Sequence, residues 1–213
     1  SITCGMGNDQ SSLPCGQGEW YDQHNAYLAY GPVLARKLGA DYLLSSVSGY
    51  GMYRNWNTVP PEETILPDVY QNLFLNGNGK AGFDSSYKPD IVSIALGTND
   101  FSDGDGNKER LPFNGYKFVG NYIEFVQMIW KRYPEAQIVL LNSPMVNGQK
   151  NRDFVEYLRQ VREYFRKDKR FRQIHVFEFK EMTPKGCGYH PDYTDDAVMA
   201  DELYPFFEQL LTK

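Results

Sequence analysis

The chain has 213 residues, of which 41% are hydrophobic and 15% aromatic, and its formal net charge at pH 7 is −5. This composition suffices for a single domain with a sizeable buried core, which we expect to span residues 1–213. An acidic chain without long Lys and Arg runs lacks the basic surface that nucleic-acid binding requires. No apolar run approaches the roughly 20 residues of a membrane span, so neither a nucleic acid nor a membrane is an expected partner.

Apolar runs alternate with helical patterns along the chain, which predicts an α/β fold with a parallel sheet. Nearly continuous Val, Ile, Leu and Phe content, typical of strands buried on both faces, marks 41–47, 90–96, 137–142 and 173–179. Helical spacing of apolar residues joins Tyr122, Phe125, Val126, Ile129 and Tyr133, and then Val155, Leu158, Val161 and Phe165. We expect a last helix capped by Thr194, with Asp195 and Asp196 in its first turn, and kinked or interrupted at Pro205.

Four short blocks are informative because of their order. They are Ser1-Ile2-Thr3-Cys4-Gly5, Ser48-Gly49-Tyr50-Gly51, Gly97-Thr98-Asn99-Asp100 and Cys187-Gly188-Tyr189-His190-Pro191. Each block alone is ordinary turn or cap chemistry. Together, in this order, they resemble the blocks of the SGNH hydrolases over essentially the whole chain. Local sequence narrows the resemblance to carbohydrate esterase family 2, whose members remove acetyl groups from plant polysaccharides. The similar stretches are Asn25-Ala26-Tyr27-Leu28-Ala29-Tyr30 and the residues around Gly49 and His190.

The resemblance implies a three-layer α/β/α, flavodoxin-like fold in which the nucleophile follows the first strand of the sheet. Nothing precedes Ser1 here, and loss of an interior strand would leave its neighbours with unpaired backbone groups. We therefore expect the natural polypeptide to extend upstream through that strand and a Gly-Asp pair. The resemblance also implies an upstream β-sandwich domain in the same polypeptide and a secreted, cell-surface or periplasmic location.

The resemblance assigns the chemistry to four residues. Ser1 would be the nucleophile of an acetyl-serine mechanism, and His190 would take its proton and return it to the departing sugar hydroxyl. The oxyanion hole would consist of the backbone N–H groups of Ser1 and Gly49 and the side-chain amide of Asn99. One such donor contributes about 3 kcal/mol in the transition state. No metal or cofactor is required.

The sequence departs from the SGNH pattern beside the histidine. Most SGNH hydrolases place an aspartate three residues before it, and this chain has Cys187 there, followed by Gly188. A backbone carbonyl near residues 185–187 would then orient the imidazole, because a neutral ring needs only an acceptor on its second nitrogen. Asp192 is an alternative partner, although turn or capping chemistry suits it better.

Two further interpretations concern the serine and the other histidines. Ser1 as a true terminus would make the protein an N-terminal-nucleophile hydrolase, with its α-amine as base; that amine would titrate near pH ~8 and put a charged ammonium where an amide donor is needed. His24 falls in a polar loop or helix start. His175 falls in a predicted buried strand as a satisfied core residue.

Substrate contacts are expected from aromatic residues beside the blocks, because apolar sugar faces pack well on such rings. The candidates are Tyr50, Tyr53, Trp56 and Tyr189; the alternative is that these rings cover the core. The Asp103–Asn107 run resembles the opening of a calcium loop, but Lys108 and Asn114 stand where that pattern needs Gly and Glu, so we assign no metal.

The three cysteines leave two interpretations open. Cys4 and Cys15 bracket a polar loop and would form a disulfide in a secreted protein, or else be two buried thiols. Cys187 is expected to serve in packing.

The leading hypothesis is a serine esterase that removes O-acetyl groups from xylan, glucomannan or a related cell-wall polysaccharide. Because the aspartate is missing and aromatic residues are clustered, a carbohydrate-binding module on a degenerate hydrolase scaffold is the first alternative. A lipase or thioesterase of the same superfamily is the second.

Overall fold

A computed structural model describes residues 1–57, 64–77, 82, 86–107, 109–171 and 174–212. The chain divides into two compact units, which we call the terminal unit (Ser1–Ser48 with Phe179–Lys213) and the sheet unit (Gly49–Glu178). The helices and strands, in chain order, are α1 (Tyr30–Leu38), α2 (Leu66–Val69), β1 (Ile91–Ile94), α3 (Thr98–Phe101), α4 (Gly115–Arg132), β2 (Gln137–Leu141), α5 (Gly148–Arg166), β3 (Ile174–Phe177) and α6 (Tyr193–Leu211).

The described residues of the sheet unit form three parallel strands in the order β1-β2-β3. Ile91 of β1 lies opposite Gln137 of β2, and Ile138 of β2 lies opposite Ile174 of β3. The sequence prediction of a parallel sheet is therefore confirmed, and three of the four predicted strands are present with slightly shorter bounds. Within β3, His175 is partly buried and its Nε2 lies 3.2 Å from the Gln137 side-chain oxygen, as expected of a satisfied histidine.

The two long helices of the sheet unit bury the apolar faces that the sequence predicted. Helix α4 begins where the Asn114 side chain accepts a hydrogen bond from the Lys117 N–H at 3.0 Å. Its core residues are Phe118, Tyr122, Phe125, Val126 and Ile129, and those of α5 are Phe154, Val155, Leu158, Val161 and Phe165. Both helices run for five turns because every third or fourth residue has a buried contact. In the described residues, no helix is long and apolar enough to cross a membrane.

The prediction of a strand at 41–47 is wrong. Residues 41–47 join no β-ladder in the described part of the chain. Tyr42 and Leu43 remain 44% and 47% exposed. An apolar run supplies side chains for a strand, but a strand also needs a neighbouring backbone to pair with.

The terminal unit is built from α1 and α6, which pack against each other. Asp192, and not Thr194, caps α6, since its side chain accepts from the N–H groups of Thr194 and Asp195 at 2.8 Å each. Asp195 and Asp196 lie in the first turn as predicted. Pro205 lies inside the helix without ending it, because buried residues on both sides of it, Leu203 and Phe207, hold the helix in the core.

Candidate active site

The serine segment is a tight turn at the start of the terminal unit. The Ser1 carbonyl accepts hydrogen bonds from the backbone N–H groups of Cys4 and Met6, each at 3.2 Å. Gly5 follows with a φ of 66°, a left-handed conformation that closes the turn. These local bonds fix the backbone on which the Ser1 hydroxyl is carried.

The histidine segment is a second tight turn in the same unit. The His190 carbonyl accepts from the Gly186 N–H at 2.8 Å, and the His190 N–H donates to the Cys187 carbonyl at 3.3 Å. The ring Nδ1 lies 2.8 Å from the Gly188 carbonyl and 3.3 Å from the Cys187 carbonyl. A carbonyl only accepts, so Nδ1 carries the proton and Nε2 has the free lone pair of a general base.

A backbone carbonyl orients His190 as predicted, but the nearer acceptor is Gly188, one residue beyond the predicted range 185–187, and Cys187 is the second acceptor. Asp192 has the capping role that the sequence favoured. Its carboxylate is occupied at the start of α6, where orphan N–H groups of a helix attract an anion.

Backbone pairing brings the serine and histidine segments together. The Cys187 N–H donates to the Gly7 carbonyl at 2.8 Å, and the Tyr193 N–H donates to the Asn8 carbonyl at 2.9 Å. A side chain at Gly7 would put its Cβ 2.7 Å from the Cys187 carbonyl oxygen, so glycine is needed for this close approach. Burial lowers the pKa of His190.

A buried carboxylate ties this pair of segments to both helices of the terminal unit. Asp196 in α6 accepts a hydrogen bond from the Asn8 side chain at 2.9 Å and another from the Tyr30 N–H at 3.0 Å. Tyr30 is the first residue of α1. Burial raises the pKa of Asp196 to about 7. The sequence placed Asp196 correctly in a first helical turn, but it gave no sign of these partners.

Sequence reasoning missed the contribution of His24. Its Nδ1 accepts a hydrogen bond from the Gly7 N–H at 3.3 Å, and its charge in the protonated state lowers the pKa of His190. Its ring packs edge to face on Trp20, which is 68% exposed and in turn contacts Tyr21. Only its position just before the Asn25–Tyr30 block pointed to the site.

The cysteine predictions were wrong. Cys15 is bonded to Cys187, whereas Cys4 is free and donates its thiol to the Ser1 carbonyl at 3.1 Å. Neither alternative holds for both Cys4 and Cys15, because Cys15 is bonded and Cys4 is free, and Cys187, expected only to pack, forms the bond. Sequence separation misled the prediction, because the pairing partner lies 172 residues away and is brought close only by the fold.

In the sheet unit, Gly49 and Asn99 lie on segments joined by hydrogen bonds. Asn99 is nearly buried and its side-chain amide donates to the Tyr50 carbonyl at 2.8 Å. Gly49 has a φ of 87°, which disfavours any residue with a side chain. The structure therefore brings the second and third blocks together within this unit.

Asp100 organises the loop that follows Gly49, a role that the sequence did not reveal. Its carboxylate accepts from the N–H groups of Met52 and Tyr53 at 2.8 Å each and of Arg54 at 3.1 Å. The side chain is fully buried, and burial raises its pKa to about 6 despite these donors. A buried carboxylate bonded to successive backbone N–H groups makes the loop rigid.

The four aromatic candidates differ in their surroundings. Tyr53 packs on Phe113 and Phe118 and accepts from the Asn114 N–H at 2.9 Å, so its ring and hydroxyl are engaged within the sheet unit. Tyr50 is partly buried. Trp56 is 46% exposed and Tyr189 is 86% exposed, which leaves these two rings most available to a ligand.

Comparison with known proteins identifies the relatives of the chain. The sequence pattern of the GDSL-like Lipase/Acylhydrolase family matches residues 1–205. An acetylxylan esterase / glucomannan deacetylase of Cellvibrio japonicus (strain Ueda107) is 31% identical over 212 residues, which are 98% of this chain and 57% of that protein.

Solved structures of related proteins superpose on nearly the whole chain. A family two carbohydrate esterase from Cellvibrio japonicus superposes with a TM-score of 0.84 at 29% identity, over 99% of this chain and 59% of that one. A carbohydrate esterase family 2 enzyme with a carbohydrate-binding domain, from Corynascus thermopiles (Myceliophthora fergusii), has a TM-score of 0.84 at 29% identity, over 100% of this chain and 64% of that one. The chain thus spans about three-fifths of the length of these relatives. It belongs to the GDSL-like lipase/acylhydrolase family and has the α/β fold of an SGNH hydrolase.

Proposed function

We propose that the protein is a serine esterase that removes O-acetyl groups from plant cell-wall polysaccharides such as xylan or glucomannan. The observation that carries the proposal is the arrangement in the terminal unit, where backbone hydrogen bonds join the serine and histidine segments and His190 presents Nε2 as a base because backbone carbonyls hold Nδ1. The names of the similar proteins, an acetylxylan esterase / glucomannan deacetylase and family two carbohydrate esterases, support the substrate class.

In this mechanism the Ser1 Oγ attacks the acetyl carbonyl while His190 Nε2 takes its proton. The oxyanion is stabilised by the N–H groups of Ser1 and Gly49 and by the Asn99 amide. The imidazolium then protonates the departing sugar oxygen, leaving an acetyl-serine. Water activated by His190 cleaves this ester and releases acetate.

A carbonyl beside Nδ1 has a defined chemical consequence. It orients the ring as a carboxylate would, but it carries no full negative charge to stabilise the imidazolium. We therefore expect slower turnover than in a complete triad. In compensation, burial lowers the pKa of His190, which favours the neutral form that acts as the base.

Recognition of the polysaccharide is assigned to exposed aromatic rings. Tyr189 adjoins the base and is largely exposed, and Trp56 follows the Gly49 block. Trp20, which packs on His24, is a further candidate that the sequence did not suggest. Each ring offers an apolar face to a pyranose, where stacking adds affinity without fixing the sugar's identity.

We also propose that the protein is secreted or works at the cell surface or in the periplasm. The Cys15–Cys187 disulfide supports this, because such bonds form and persist in oxidising compartments.

The test is acetate release from acetylated xylan and acetylated glucomannan, measured beside hydrolysis of 4-nitrophenyl acetate, butyrate and octanoate. We expect acetate release from at least one polysaccharide and the highest rate with the shortest acyl chain, together with an acetyl group trapped on Ser1 at low pH in mass spectrometry. Glycan binding without acetate release would instead identify a binding module. Preference for octanoate would identify a lipase or thioesterase.

A further inference from the structure

We propose that the Cys15–Cys187 disulfide is a positioning element for His190. It holds the turn at Cys187–Tyr189 in the one conformation that points backbone carbonyls at Nδ1. This inference rests on the proposed roles of Ser1 and His190. It goes beyond them by assigning a function in the reaction to two residues that touch neither substrate nor the reacting atoms.

The turn that carries His190 has an unfavourable backbone. Gly188 has φ 61° and ψ 35°, and Tyr189 also has a φ of 61°. Glycine adopts this left-handed region freely, but a tyrosine does so rarely because its Cβ is crowded there. Without a constraint, Tyr189 favours a return to negative φ.

That return would remove the acceptor from His190. The peptide between Gly188 and Tyr189 lies between ψ of Gly188 and φ of Tyr189, so a change in these angles rotates its carbonyl. The Gly188 carbonyl oxygen is the atom 2.8 Å from His190 Nδ1. Rotation of this peptide would leave Nδ1 without its nearer partner and free the ring to turn or to change tautomer.

The disulfide acts at the start of this turn. Cys187 is bonded through sulfur to Cys15 and through its N–H to the Gly7 carbonyl at 2.8 Å. The Cys15 end is itself fixed, because the buried Gln23 side chain donates to the Pro14 carbonyl at 3.2 Å and to the Gln17 carbonyl at 2.8 Å. The disulfide thus anchors the turn to a loop that side-chain hydrogen bonds hold in place.

The chemistry of the acceptor explains why such an anchor matters here. A carboxylate sits on a side chain that can rotate to follow an imidazole, whereas a backbone carbonyl points where φ and ψ direct it. Cys187 occupies the position, three residues before His190, at which most SGNH hydrolases have an aspartate. A cross-link at that position replaces the adaptability of a side chain with rigidity of the backbone.

The experiment compares four proteins: wild type, Cys15→Ser, Cys15→Ser/Cys187→Ser and Cys15→Ser/Cys187→Asp. Each is assayed for kcat and KM on 4-nitrophenyl acetate across pH 4.5–9 and for Tm. The assay temperature lies well below the lowest Tm, so that only folded protein is compared. We expect Cys15→Ser and the double serine variant to lose about tenfold in kcat with KM changed less than twofold.

The aspartate variant separates positioning from stability. We expect it to regain most of the lost kcat while its Tm stays as low as that of the double serine variant. The acid limb of its pH profile of kcat should move to higher pH than in wild type, because a carboxylate beside imidazole raises the histidine pKa. An unchanged kcat in folded Cys15→Ser overturns the proposal. A loss that the aspartate does not restore, or that appears in KM, also overturns it, because the bond would then serve only the fold.

Reduction of the wild-type protein gives an independent arm if a variant does not fold. With tris(2-carboxyethyl)phosphine under conditions that leave the circular dichroism unchanged, we expect kcat to fall about tenfold and to return on reoxidation. Cys15→Ser under the same reductant is the matched control and should not change. No fall in kcat after complete reduction contradicts the proposal. Absence of Ser1-dependent hydrolysis in untreated wild type would instead refute the proposed function.

Discussion

The sheet unit holds Asn99 in the short helix α3 and Gly49 in a loop, and the terminal unit holds Ser1 and His190 on turns outside its long helices. In the sheet unit, one fully buried carboxylate, Asp100, fixes the loop after Gly49 through three backbone N–H groups. In the terminal unit, the same task is spread over a disulfide, paired backbone segments and the carboxylate of Asp196.

The difference follows from what each unit can bury. The sheet unit has two amphipathic helices and a sheet, and its aromatic core fixes the ends of the strands. The terminal unit has one short and one long α-helix, so one disulfide and buried polar hydrogen bonds replace part of the missing core. The proposed oxyanion donors of the sheet unit, Gly49 and Asn99, are therefore supported by a packed core and one buried carboxylate, whereas the proposed nucleophile and base depend on a disulfide and on hydrogen bonds between segments.

The largest effect is expected at Ser1 in the terminal unit. Ser1→Ala should lower kcat for 4-nitrophenyl acetate on the order of 10⁴-fold or more, because Ser1 is the proposed acceptor of the acetyl group. The measurement is initial rate under saturating ester. Ser11→Ala is the matched control, since that exposed serine bonds only with Asp9, and it should retain full activity. A Ser1→Ala protein with substantial turnover would show that the nucleophile lies elsewhere.

The next effect is expected in the sheet unit. Asn99→Ala should lower kcat about 10²- to 10³-fold with little change in KM, the cost of one oxyanion donor. Asn121→Ala is its control: the Asn121 side chain also donates to a backbone carbonyl of the same loop, that of Met52 at 3.0 Å, but it has no proposed oxyanion role. Equal losses in both variants would mean that Asn99 acts only by holding the loop.

Stability should depend on pH through Asp196. Its pKa is raised from 3.8 to about 7 in the folded state, so the folded protein binds this proton more tightly than the unfolded chain. This contribution is present at low pH and is lost as pH rises from about 4 to about 7, on the order of 2–4 kcal/mol. Asp196→Asn should remove this slope from the free energy of unfolding measured in urea between pH 5 and 8.

Asp201→Asn is the control for that slope, because Asp201 lies on the same helix, is exposed, and forms a surface ion pair with Lys37. It should leave the pH dependence as in wild type. The same pH dependence in all three proteins would show that Asp196 is not the group responsible, and Asp100, with its pKa raised to about 6, would be examined next.

The smallest effect is expected at the exposed rings. Tyr189→Ala should raise KM for acetylated xylo-oligosaccharides about threefold to tenfold and leave KM for 4-nitrophenyl acetate unchanged, since only the former can stack on the ring. Tyr116→Ala is matched in size and exposure, at 95% against 86%, and lies on α4 of the sheet unit. A change of KM with both esters in Tyr189→Ala would point to the strained turn and not to stacking.

Several parts of the protein could be predicted from the residues alone because their causes are local. The faces of α4 and α5 follow from apolar spacing, and β1, β2 and β3 follow from continuous apolar runs. The local sequences of the blocks containing Ser1, Gly49, Asn99 and His190 identified the family, and the family comparison confirms it. The kind of partner that orients His190 was also predictable, because a missing aspartate leaves the nearby backbone as the acceptor, but the nearer carbonyl, that of Gly188, lies outside the predicted range 185–187.

Tertiary structure decided the features whose partners are far apart in the chain. Three such features join segments separated by well over a hundred residues. They are the pairing of Cys15 with Cys187, the hydrogen bonds of Asp196 to Asn8 and Tyr30, and the approach of His24 to His190. The same reason explains the error at 41–47, whose residues suit a strand but whose pairing depends on other segments. Local composition determines what a segment is able to form, and long-range contacts determine which of those possibilities is realised.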